Sequence, residues 1–122
     1  MYKLIRLLVV IACAFAASTV NAAEKFPQRP VRLIVPYAPG GATDITARLL
    51  QTGISELWGQ PVIVDNRAGA SGTIAIELAA RAAPDGYTLQ VGNVSTNAIN
   101  ETTFASLKVK PSRDLTGVTN LI

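Results

Sequence analysis

The sequence predicts an α/β fold, a parallel sheet with βαβ crossovers, and three observations carry that expectation. Strand, glycine-bearing loop and helix follow one another twice between Val31 and Ala82, and a third strand and loop begin at similar spacing from Tyr87. The first strand is a short β-branched run, as a buried strand is. A repeated strand-loop-helix order puts the strands side by side and parallel, with right-handed crossovers.

The elements follow in order. Met1 to Arg6 carries two positive charges and Leu7 to Ala17 carries none, the pattern of a secretory signal peptide. The apolar stretch falls short of the roughly 20 residues that span a bilayer. Val20-Asn21-Ala22 supplies a cleavage site, which places the cut after Ala22 and divides the chain into a signal, 1–22, and a partial α/β lobe, 23–122. The rival is lipidation at Cys13, but the residues after it are apolar rather than a polar tether.

Glu24 to Pro30 reads as an extended leader with two prolines. Val31 to Val35 is a strand ended by Pro36, and Pro36-Tyr37-Ala38-Pro39-Gly40-Gly41 is a tight loop in which two prolines block a helix. From Ala42 to Trp58 the period is helical: Ala47, Leu50, Ile54, Leu57 and Trp58 share a face, Gly59 stops the helix, and Gly53 marks a weakness or a close contact. Pro61 to Asp65 is the second strand and Asn66 to Gly72 the second loop. Thr73 to Ala82 is a helix with small residues for close packing, ended by the turn Pro84-Asp85-Gly86. Tyr87 to Val91 is the third strand and Gly92 to Thr96 the third loop. Beyond it the pattern weakens: Thr96 to Leu107 holds short helical turns, Pro111 to Asp114 a turn or helix start, and Leu115 to Ile122 a strand. That last apolar run has no cap or polar tail, which reads as truncation.

Composition narrows the chemistry. Without Lys3 and Arg6 the chain keeps nine Lys and Arg against eight acids, so no basic patch argues for nucleic acid. It contains no histidine, and its one cysteine lies in the signal, so the commonest metal ligands and the usual general base are missing. No catalytic or metal site and no cofactor is expected. What remains is three loops at the carboxyl ends of parallel strands, where open sheets bind ligands. Two of them open helices whose N–H groups and dipoles favour a small anion. Alternatives stand beside each: Gly40 and Gly41 serve turning alone, Asp44 is a first-turn acid, and Ser71 or Thr73 caps the second helix. A nucleotide site lacks the required glycine spacing.

Arg32 to Arg48 (Arg-Leu-Ile-Val-Pro-Tyr-Ala-Pro-Gly-Gly-Ala-Thr-Asp-Ile-Thr-Ala-Arg), Gly59 to Gly72 and Ala82 to Leu89 together resemble the substrate-binding proteins of tripartite tricarboxylate transporters, the Bug family of periplasmic receptors. The resemblance implies the first lobe of a two-lobed, type II-like periplasmic binding protein, truncated, since family members are about three times as long. It implies a non-enzymatic receptor, acting as a single copy, that captures a small organic carboxylate for membrane transporter subunits. By the same resemblance the ligand is held by Tyr37, Ala38, Pro39, Gly40, Gly41 and Asp44 in the first loop, by Ala70, Ser71 and Gly72 in the second, and by Ser95 and Thr96 in the third. Asp44 either touches the ligand or orders its own loop. The rival functions are an exported α/β enzyme lobe and a non-functional pseudogene product. A dicarboxylate, an amino acid and an aromatic acid all satisfy the first lobe's backbone donors, so the sequence does not name the ligand.

Overall fold

The structure, a computed structural model, describes residues 25–121. The signal segment, its cut after Ala22, Cys13 and Ile122 lie outside the described residues.

β1 (Val31–Val35) is the centre of a three-stranded parallel sheet, with β2 (Val62–Asn66) on one side and β3 (Thr88–Gln90) on the other. The register pairs Val31 with Val62, Val35 with Asn66, Arg32 with Thr88 and Ile34 with Gln90. Single backbone bonds carry the β3 ladder one residue further at each end, from Arg32 N–H to the Tyr87 carbonyl and from Val91 N–H to the Ile34 carbonyl.

Alternation along β1 divides its side chains between two faces. Val31, Leu33 and Val35 join Val62, Val91 and Ala47 in the main core, with Ile54, Trp58, Val64, Tyr87 and Leu89 packed against it. Ala47 belongs to α1 (Ala42–Trp58), the crossover between β1 and β2. On the other face Ile34 is fully buried, as are Ala75 and Ile76 of α2 (Thr73–Ala80), which packs on β1 and β3. Gly59 ends α1 in a left-handed conformation, its N–H on the Ser55 carbonyl, and the Ser55 hydroxyl accepts the Val62 N–H to start β2. The leader is tied down by aromatic packing: Phe26 lies 5.8 Å from Trp58 and 5.0 Å from Tyr87, and Arg29 sits over the Tyr87 ring.

After β3 come a π-helical turn (Ser95–Ile99), α3 (Asn100–Thr103) and α4 (Pro111–Asp114), the last with proline in its first turn. Three expectations are corrected. Leu57 is 81% exposed, because at its angle on the helix it points away from the sheet that holds Ala47. α2 stops at Ala80, where the backbone tightens into a turn with the Ala82 N–H on the Ala79 carbonyl. The described part of the last segment, 115–121, is not a strand; none of the three strands pairs with it.

Candidate functional site

Parallel strands all end at one edge of the sheet, so the loops that follow β1, β2 and β3 emerge together. Their residues are held by a small set of polar side chains.

In the first loop the organiser is Asp44, in the first turn of α1 and 3% exposed. Its Oδ2 accepts the Gly40 N–H and the Arg48 Nε–H, each at 2.9 Å, and its Oδ1 accepts the Asn66 side-chain amide at 2.9 Å. The same amide donates to the Tyr37 carbonyl at 3.0 Å, so the end of β2 grips both the start of the loop and the helix that follows it. Hydrogen bonds from Arg48, then Gly40 and Asn66, hold the Asp44 carboxyl down at about 2, outweighing the burial that opposes ionisation. Both carboxylate oxygens are thus engaged within the protein.

The second loop is strained. Gly69, Ala70, Ser71 and Gly72 have φ of 133°, 45°, 54° and 88°, and for Ala70 and Ser71 this region is unfavourable. The turn is closed by the Gly72 N–H on the Gly69 carbonyl at 2.8 Å and the Thr73 hydroxyl on the Ala70 carbonyl at 2.9 Å. The Asn100 amide, from α3, donates to the Ser71 carbonyl at 2.8 Å. Neither Ser71 nor Thr73 caps α2: its N-cap is Gly72, and no side chain makes a capping bond there or at Gly41, the N-cap of α1. The capping alternative is therefore set aside, because the left-handed turn puts a glycine at the cap.

In the third loop Asn93 and Thr96 bond reciprocally. The Asn93 N–H donates to Thr96 Oγ1 at 2.9 Å and the Thr96 N–H to Asn93 Oδ1 at 3.0 Å. Asn93 Nδ2 also reaches the Tyr37 hydroxyl at 3.0 Å, joining the first loop to the third. The three loops meet at Gly72: a Cβ there would lie 2.7 Å from Thr96 Cγ2 and 3.1 Å from Pro36 Cβ.

Of the residues named from the sequence, Ala38, Pro39, Gly40, Gly41, Ala70 and Ser71 are exposed at the loop tips. Tyr37 and Ser95 are half-buried, while Asp44, Gly72 and Thr96 are buried. The sequence reading overlooked Asn66, Asn93 and Asn100. The available signal was an asparagine in the second loop, Asn66, and another in the third, Asn93, a residue suited to bonding nearby backbone.

Two shallow, open concavities among the described residues lie elsewhere. One, of about 320 Å³, runs along β2 beside Arg32, Ile63 and Arg67; there Asp65 takes hydrogen bonds from Arg32 and Arg67, which lower its pKa although burial works against them. The other, of about 350 Å³, lies against Ile74, Leu78 and Arg81 of α2. Among the described residues no group of three or more His, Cys, Asp or Glu side chains gathers as a metal site.

A family model described as tripartite tricarboxylate transporter family receptor matches residues 46–122. BugT of Bordetella pertussis is 41% identical over 117 residues, which cover 93% of this chain and 36% of BugT. Among solved structures, MatC from Rhodopseudomonas palustris with bound malate superposes with a TM-score of 0.69 at 43% identity, over 73% of this chain and 30% of MatC. A second R. palustris protein, solved with adipate, superposes with a TM-score of 0.69 at 39% identity, over 71% of this chain and 29% of that one. The chain spans about a third of the length of the curated relatives it matches.

Proposed function

Because the chain belongs to the tripartite tricarboxylate transporter receptor family, we propose that it is part of the first lobe of a periplasmic receptor that captures a small organic carboxylate and delivers it to transporter subunits in the membrane. The carrying observation is the meeting of three strand-end loops at Gly72, beside two helix N-termini that no side chain caps. Helix N-termini of this kind present backbone N–H groups and a positive dipole end, which favour an anion by about 0.3–1 kcal/mol each when exposed and up to about 2 when partly buried. The relatives solved with malate and adipate supply the ligand class.

In this reading the residues divide by role. Gly41, Ala70 and Ser71 offer backbone at the exposed tips, and Ser71 adds a hydroxyl. Asp44 and Thr96 act as positioning residues: a carboxylate that already accepts Gly40, Arg48 and Asn66 has no capacity to donate to an anion, and the Thr96 hydroxyl is engaged with Asn93. Binding is non-catalytic, since the loops gather neither a nucleophile with a base nor a pair of carboxylates.

The test is a titration of the isotopically labelled chain with malate and with adipate, followed by NMR. Weak binding, in the millimolar range expected of a site closed from one side only, should shift the amides of Ala38, Gly40 and Gly41 and those of 70–72 and 92–96. Shifts confined to the groove along β2, or none at saturating malate and adipate, would refute this assignment of the site.

A further inference from the structure

The leader and the turn before β3 hold one another. Arg29 bonds to the Asp85 carboxylate at 2.8 Å, and its guanidinium lies 4.1 Å from the centre of the Tyr87 ring. The Gln28 N–H donates to the Tyr87 hydroxyl at 3.0 Å, and Phe26 packs on the same ring. A Cβ built on Gly86 would lie 3.2 Å from Phe26 Cζ, so the aromatic ring stands against the Asp85-Gly86 peptide. The other Asp85 oxygen accepts the Tyr87 N–H at 3.0 Å. What this clamp covers is a reactive bond. Among the four aspartates of the chain Asp85 is the one that precedes a glycine. A glycine nitrogen has no adjoining side chain to obstruct its approach to the preceding carboxyl group.

We propose that Asp85 is a site of spontaneous isoaspartate formation and that the docked leader restrains it. In the reaction the Gly86 nitrogen bonds to Asp85 Cγ, and the Gly86 proton leaves with a carboxyl hydroxyl as water, which closes a five-membered succinimide. Water then opens the ring at either carbonyl. One opening restores aspartate, and the other routes the main chain through the side chain as isoaspartate. The Asp85 side chain is 39% exposed, so water reaches it, and no further reactant is needed. Ring closure requires the carboxyl carbon to swing onto the Gly86 nitrogen, and that rotation gives up the bonds to Arg29 and to the Tyr87 N–H. The reaction therefore waits for the leader to lift, a local opening rather than global unfolding. Once formed, isoaspartate adds a methylene to the main chain just ahead of β3 and carries the carboxylate away from Arg29. Docking of the leader and modification of the turn thus exclude one another. The turn lies at the amino ends of the strands, opposite the three loops, so the proposal does not depend on the carboxylate reading.

Ageing the purified chain at neutral pH, folded and in urea, tests it. Isoaspartate at 85 is read by electron-transfer fragmentation of the tryptic peptide 82–108. The folded chain should accumulate it about tenfold or more slowly than the unfolded one. Arg29→Ala, an exposed change, should speed the folded chain about two- to fivefold with its urea midpoint nearly unchanged, and Arg29→Lys should return most of the protection. Phe26→Ala, which uncovers Gly86, should speed it about fivefold or more. Equal rates in the folded and unfolded chain, or Arg29→Ala and Phe26→Ala chains that age like the parent, overturn the guarding role of the leader. An unfolded chain that forms no isoaspartate at 85 overturns the site itself.

Discussion

The side-chain amide of Asn66 lies 2.9 Å from the Asp44 carboxylate and joins the last residue of β2 to the first turn of α1. Asp44→Asn changes one acceptor oxygen into a donor and sets it against donors already in place, either Asn66 or the pair Gly40 and Arg48. The helix and sheet should survive, because their core does not include this side chain. The Gly40 amide should exchange with solvent about tenfold faster or more, read by NMR, with a smaller loss in global urea midpoint.

Acid should weaken the fold in a defined window. The Asp44 and Asp114 carboxyls are held at about 2 against the ordinary value of 3.8, Asp44 first by Arg48 and Asp114 first by Arg113. The unfolded chain therefore takes up protons before the folded one, so the stabilisation is complete above about pH 4 and lost as pH falls through about 2. Asp65 and Glu101, also lowered, add in the same direction. Urea midpoints measured down through this window should fall, and those of Asp44→Asn should fall less steeply.

Two glycines of positive φ should respond differently to alanine. Gly40→Ala meets open space, so its cost is that of the backbone conformation, about 1–2 kcal/mol. Gly72→Ala carries that penalty and also drives a methyl into Thr96 and Pro36, which adds about 1–3 kcal/mol of overpacking. Equilibrium unfolding of both variants measures the difference, and equal values would mean that the loops do not meet at Gly72.

How much of this was legible beforehand depends on the range of the interaction. Val31 to Val35, the helix closed by Gly59 and the Pro84-Asp85-Gly86 turn announce themselves through period and local punctuation, and the structure has the strand and the helix where they were expected and a bend at 84–87 with positive φ at Gly86. The asparagines were hidden because their partners are remote: Asn66 meets the Tyr37 carbonyl, Asn93 the Tyr37 hydroxyl and Asn100 the Ser71 carbonyl. Only a finished sheet brings those groups together. Leu57 was misplaced because apolar spacing alone marks two candidate faces on α1, and sequence offers no means of knowing which one meets β1.

Asn100 is 2% exposed, and its bond to Ser71 links the second loop to the segment after the third. Asn100→Ala should remove this part-buried bond to the Ser71 carbonyl and reduce stability by about 0.5–1.5 kcal/mol, checked by chemical denaturation. If the strained turn depends on this bond, the Ala70 and Ser71 amides should lose their exchange protection before the strands do.

Gln90 is the opposite case, for both polar atoms of its side chain are buried without a hydrogen-bond partner. Gln90→Leu keeps the bulk and removes the unpaired amide, so it should raise stability by about 1 kcal/mol, measured as a higher urea midpoint with an unchanged slope.

The central strand is also the earliest to be synthesised. β1 finds no partner until Val62 and its neighbours exist, and its other edge stays bare until Thr88 to Gln90 follow. Pairings that must wait for distant chain are slow to form. Commitment to this sheet is thus deferred until Thr88 to Gln90 have been made, and a nascent chain that pauses earlier leaves the most apolar of the three described strands open to chaperones, to translocation machinery or to aggregation.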